Sequence, residues 1–78
     1  MRLSMYLIGD LASKTGLSLH TLNYYLRIGL IEEVGRSETN NYRFFDDSTV
    51  DLLNRIIALR LQRVPIQEIK WRKENGIL

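Results

Sequence analysis

The chain has no cysteine. That excludes a disulfide framework, a thiolate metal site and a cysteine nucleophile. His20 is its one histidine. A lone imidazole with no second histidine or thiolate makes a poor metal set. Pro65 is its one proline, and its five glycines form no phosphate-cradling loop. No apolar run is long enough to cross a bilayer, and residues 1–6 do not read as a signal peptide. There is no internal repeat and no low-complexity tract. The excess of one charge sign is small too, 11 Lys and Arg against 9 Asp and Glu leaving a net of +2. The acid pair Asp46-Asp47 is explained by helix capping, and the adjacent Glu32-Glu33 would diverge on a strand. We therefore expect no enzyme, no cofactor, no metal and no membrane partner. A cytoplasmic location suits this composition. At 78 residues the chain has room for one small core, so a single domain over 1–78 is expected.

What is present is most informative between residues 8 and 25, IGDLASKTGLSLHTLNYY. Ile8, Leu11 and Ala12 stand at i, i+3, i+4, one apolar helical face. Thr15-Gly16-Leu17-Ser18 breaks the run. Gly16 can take the left-handed conformation that ends a helix, and Ser18 is a good N-cap for the next. The second helix places Leu19, Leu22, Tyr25 and Leu26 on one side. At 100° per residue, His20, Thr21, Asn23, Tyr24 and Arg27 fan around the other. That side has no acid and many donors. A helix-turn-helix with such a second helix is a device for putting side chains into a DNA groove. The spacing alone also occurs in proteins that touch no nucleic acid.

Gly29-Leu30-Ile31 ends the second helix. A polar segment, 32–41, leads to the aromatic, strand-like Tyr42-Arg43-Phe44-Phe45. Two short β segments around a polar tip make a wing, spanning about 30–45. If Tyr42 and Phe44 face the core, alternation turns Arg43 outward. Asp46 or Asp47 should cap a third helix, about 47–62. Val50, Leu53, Ile57 and Leu61 form its stripe, which Leu52, Ile56 and Leu59 widen. Arg63-Val64-Pro65 ends it, because a residue before proline avoids the helical region. Pro65 can open a fourth helix, about 65–74, with Ile66 and Ile69 inward. Asn75-Gly76 is a stop, after which Ile77-Leu78 can fold back on the core. The expected fold is thus mainly α: a winged helix-turn-helix, four helices with a small two-stranded wing.

Charge is unevenly placed. Residues 1–29 hold Arg2, Lys14 and Arg27 against Asp10 alone. The wing gathers Glu32, Glu33, Glu38 and Asp46 against Arg36 and Arg43. A wing this acidic should attract phosphate only moderately, so modest affinity is expected.

The run I-G-D-L-A-S-K-T-G-L-S-L-H-T-L-N-Y-Y-L-R-I-G-L-I, followed by N-Y-R-F-F-D, resembles the DNA-binding domain of the MerR-type (mercury-resistance-regulator) family of bacterial transcription regulators. The resemblance spans roughly residues 6–70. It implies a winged helix-turn-helix that binds double-stranded promoter DNA, the second helix in the major groove and the wing on flanking backbone or minor groove. RNA polymerase or a partner regulator is the further partner it implies. The candidate DNA-binding residues are Ser18, His20, Thr21, Asn23, Tyr24, Tyr25, Arg27, Arg36 and Arg43. The resemblance places a backbone-contacting arginine at Arg43 and a basic residue at Arg36. Arg43 also reads as a surface arginine paired with Asp46 or Glu33. Tyr24 reads as a DNA contact, hydroxyl to phosphate and ring over sugar, or as a half-exposed packing residue. Tyr25 reads first as a buried ring, with a hydroxyl that could still reach a phosphate at the helix edge. His20 reads as a surface ring, as a capping-turn donor, or as a DNA contact.

Three departures from the family pattern stand out. His20 and Asn23 occupy positions where arginine is common, and Leu26 one where an acid is common. Asn23 could pair with adenine instead, so the bases read cannot be carried over. The family's regulators continue into a long coiled-coil dimerisation helix and an effector domain. This chain stops at Leu78 with no heptad run, so a monomer or weak dimer is expected. Two other readings stay open: a small excisionase-like architectural DNA-binding factor, and a protein–protein module that keeps the fold without the DNA.

Overall fold

The computed structural model describes residues 4–78. Arg2, counted above, and the start of the 1–6 segment lie outside them. The described chain runs β1 (Met5–Tyr6), α1 (Ile8–Thr15), α2 (Leu19–Arg27), β2 (Gly35–Arg36), β3 (Arg43–Asp46), α3 (Asp47–Leu61) and α4 (Ile66–Glu74).

Local chemistry sets each boundary. Helix α1 starts where the Leu7 backbone N–H donates to the Asp10 carboxylate, at 2.8 Å. It stops at Gly16, in the left-handed region at φ 76°. The Gly16 N–H then donates to the Ala12 carbonyl at 2.8 Å. Ser18 caps α2, its Oγ accepting from the Thr21 N–H at 3.1 Å. The end of α2 is a Schellman motif. The Leu30 N–H donates to Tyr25 O at 2.9 Å and the Gly29 N–H to Leu26 O at 3.2 Å. Gly29, at φ 78°, supplies the left-handed residue this closure needs. The turn sends Leu30 and Ile31 straight into the core, where both are buried. Asp46 caps α3, accepting from the Ser48 N–H at 3.0 Å.

The end of α3 differs in cause from the expectation. The helix stops at Leu61, before the residue that proline restricts. Arg63 takes the left-handed conformation at φ 64°. The Val64 N–H bonds Leu59 O at 3.0 Å and the Arg63 N–H bonds Arg60 O at 2.9 Å, the same closure as in α2. Pro65 is the N-cap of α4.

The sheet has a third strand. Two antiparallel pairings set the order β1-β3-β2. Strand β1 pairs Met5 with Asp46 and Tyr6 with Phe45. The wing proper is the β2–β3 hairpin. Tyr6 ties β1 to two helices: its hydroxyl donates to Asp47 at 2.6 Å, and the Lys14 ammonium stands 4.9 Å from its ring centroid.

The core is built from Leu11 of α1, Leu22 of α2, Leu30, Phe45 of β3, Leu53 and Ile56 of α3 and Ile69 of α4, each fully buried. Each such side chain contributes about 1.5–3 kcal/mol of hydrophobic stabilisation. Three expected core positions fall outside it. Leu19 is 51% exposed, Leu61 80% and Ile77 60%. Each sits at or beyond a helix terminus, where an apolar stripe outruns its packing partner. Leu78 does pack against the core.

The phase of β3 is also shifted from the expectation. Phe45, not Tyr42, is the buried ring, while Tyr42 is 59% exposed and Phe44 half-buried. Alternation therefore places Arg43 on the same face as Phe45, beyond the edge of the core.

Candidate nucleic-acid interface

Helix α2 buries Leu22 and Tyr25. This fixes its rotation and leaves His20, Asn23, Tyr24 and Arg27 exposed on the other side. No acidic residue lies in α2. The Arg27 guanidinium stands 5.7 Å from the Tyr24 ring centroid, a cation–π pair that orders both side chains on this face. Tyr25 is core, as its first reading held. Burial pushes its hydroxyl pKa up, with the Arg60 charge opposing. At the start of the helix, the Ser18 and Thr21 hydroxyls bond each other at 3.0 Å.

The wing contributes Arg36 and Arg43, which stand directly opposite each other across the β2–β3 ladder. Like charges so placed repel. Glu33 relieves the repulsion. Its carboxylate accepts from Arg36 Nε and, at 3.1 Å, from Arg36 Nη2. The oxygen that takes Nη2 also lies 3.1 Å from Arg43 Nε. The hydrogen bond from Arg36 holds the Glu33 carboxyl below the usual carboxylate range, with both arginine charges adding. The same pairing raises the Arg36 pKa. Of the two pairings foreseen for Arg43, the one with Glu33 is present. Glu32 diverges from it and faces Lys73, at 3.9 Å.

Between α2 and the wing runs a groove. One part is lined by Asn23, Leu26, Arg27, Ile31, Glu32, Glu33 and Arg43. The next is lined by Leu7, by Ile8, Gly9 and Asp10 at the start of α1, and by Asn23, Arg36, Asn41, Tyr42 and Arg43. Asn23 and Arg43 are common to both, so they face the groove from its two walls. The structure thus brings together Asn23, Arg27, Arg36 and Arg43. Ser18, His20, Thr21, Tyr24 and Tyr25 do not line this groove. His20 and Tyr24 stand exposed on α2, and Ser18 and Thr21 form its cap. Asn41 and Tyr42 are among the groove residues that fell outside the sequence-based set. The signal for them was the Asn40-Asn41 turn: Asn41 is left-handed at φ 60°, and Asn40 Oδ1 accepts from the Tyr42 N–H at 3.1 Å. That geometry turns the Tyr42 ring out to the groove instead of into the core.

Comparison with known proteins gives a consistent result. Residues 6–73 match the model of the MerR HTH family of regulatory proteins. The chain is 36% identical over 74 residues to the transcriptional regulator BrlR of Pseudomonas aeruginosa, covering 95% of this chain and 27% of BrlR. It is 40% identical over 62 residues to the mercuric resistance operon regulatory protein of Bacillus cereus, covering 80% of this chain and 46% of that one. It is 33% identical over 70 residues to the regulator CueR of Bacillus subtilis, covering 90% and 48%. The chain thus spans between about a quarter and a half of these relatives. Among solved structures it superposes on HiNmlR, a MerR family regulator lacking the sensor domain, bound to promoter DNA. The TM-score is 0.83 at 31% identity, over 95% of this chain and 55% of that one.

Proposed function

The chain belongs to the MerR HTH family of regulatory proteins, and from that premise we propose that it is the DNA-reading module of a bacterial transcription regulator. The observation that carries this is the groove between α2 and the wing, with the acid-free, donor-rich face of α2 on one wall and Arg36 and Arg43 on the other, although Asp10, Glu32 and Glu33 also line it. The superposition on a relative bound to promoter DNA supports DNA as the ligand.

In this reading α2 enters the major groove. Asn23 reads a base edge, adenine being the base its amide matches bidentately. His20 and Arg27 flank it. Tyr24 donates its hydroxyl to a phosphate while its ring, held by Arg27, covers the sugar. Ser18 and Thr21 start the helix at a phosphate-facing end, where backbone N–H groups favour an anion. Tyr25 works from the core by fixing the rotation of α2. Arg36 and Arg43 hold flanking backbone and set the register of the wing. RNA polymerase or a partner regulator is the proposed further contact, and the cytoplasm the proposed location.

Selection from a randomised duplex library tests this. Enrichment of one short motif, lost with Asn23→Ala, is the expected result. Recovery of random sequence, or of none at low salt, contradicts it.

A further inference from the structure

Glu33 is the unusual member of this surface. It is an acid on the wall that the proposed DNA backbone approaches, and it engages both wing arginines. Its two oxygens take the Nε–Nη2 edge of Arg36, the edge a guanidinium uses for bidentate binding of an oxyanion. One of those oxygens also holds Arg43 Nε, at 3.1 Å. What remains unbound by Glu33 is Nη1 of Arg36 and both Nη groups of Arg43. A carboxylate and a phosphate present similar oxygen pairs to such a fork. Glu33 therefore occupies the seat a backbone phosphate would take.

We propose that Glu33 is a built-in competitor for backbone phosphate that sets the affinity of the wing. It rests on the DNA-reading function proposed above. Docking DNA requires a phosphate to displace the carboxylate from Arg36 or to bind only the outer edges of the two guanidiniums. Both outcomes weaken the wing contact relative to an unmasked arginine pair. The device also limits non-specific attraction, because two cross-strand arginines otherwise present an open, sequence-blind phosphate site. Specific sites then depend more on the face of α2.

The test compares Glu33→Gln with wild type in binding to a random-sequence duplex across a salt series. Glu38→Gln, in the same wing with the same charge change but no pairing to either arginine, controls for net charge. Glu33→Gln should bind at least about fivefold more tightly at low salt, with a slope steeper by about one phosphate contact. Glu38→Gln should gain clearly less. In an Arg36→Ala, Arg43→Ala background the Glu33→Gln gain should vanish. An equal gain in Glu38→Gln, a gain that survives loss of both arginines, or weaker binding by Glu33→Gln overturns the proposal while leaving the DNA-reading function standing. Salt-independent or absent binding by every variant overturns that function, and this inference with it. Circular dichroism on each variant separates any loss of binding from loss of fold.

Discussion

Gly35 of β2 lies flat against the ring of Phe44 on the paired strand: a Cβ placed on Gly35 would stand 2.6 Å from the ring Cζ. The ring covers the glycine, which leaves no room there for a larger residue. Gly35→Ala should cost about 1–3 kcal/mol by overpacking. Because Phe44 is only half-buried and its ring can tilt, the lower end is expected. Thermal unfolding measures this, and an unchanged midpoint would show that the ring yields freely.

Leu22 joins α2 to the core and is fully buried. Leu22→Ala should cost about 2–5 kcal/mol, enough to threaten a domain of this size. Urea unfolding reads the loss directly. A cost under about 1 kcal/mol would mean the site collapses around the smaller side chain.

Arg63 closes α3 in a conformation that suits glycine, at φ 64°. A left-handed non-glycine residue costs about 1–2 kcal/mol, and the looser unfolded chain of a glycine variant returns about half of that. Arg63→Gly should stabilise the protein by about 0.5–1 kcal/mol, while Arg63→Ala should gain nothing. A loss in the glycine variant would show that the arginine side chain itself stabilises the turn.

Asp46 and Glu33 both have carboxyl pKa values held below the ordinary range, Asp46 first by the Ser48 hydroxyl and Glu33 first by Arg36. Folded values below unfolded ones mean a stabilising contribution that is full above the unfolded pKa. It is lost as pH falls through the lowered folded values. The thermal midpoint should therefore drop between neutral pH and about pH 2.5. Asp46→Asn keeps a capping acceptor but removes the titration, so its curve should be flatter over that interval. Superimposable curves would remove Asp46 from the acid response.

Much of this architecture was legible because its signals are local. Gly16 and Ser18 mark the helix-turn-helix, and Asp46 marks α3, since each acts on backbone groups a few residues away. The unread features depend on distant partners. Strand β1 is two residues long and exists through its pairing with β3. Three aromatic residues in the run 42–45 left the strand phase ambiguous, and a one-residue slip exchanges its faces. With Phe45 as the buried ring, Arg43 lines the groove shared with Asn23. The bridging of two arginines by Glu33 follows from the hairpin register, which the turn at Asn41 sets.

The central claim is that α2 and the wing form one phosphate-binding surface. Duplex binding across a salt series, for wild type and for Tyr24→Ala combined with Arg43→Ala, tests it most directly. We predict a steep loss of wild-type affinity with salt, and a double variant that binds more weakly with a slope shallower by about one phosphate contact, that of Arg43, because the neutral Tyr24 hydroxyl releases no counterion. Equal slopes in two folded proteins would contradict it and place the DNA on another face.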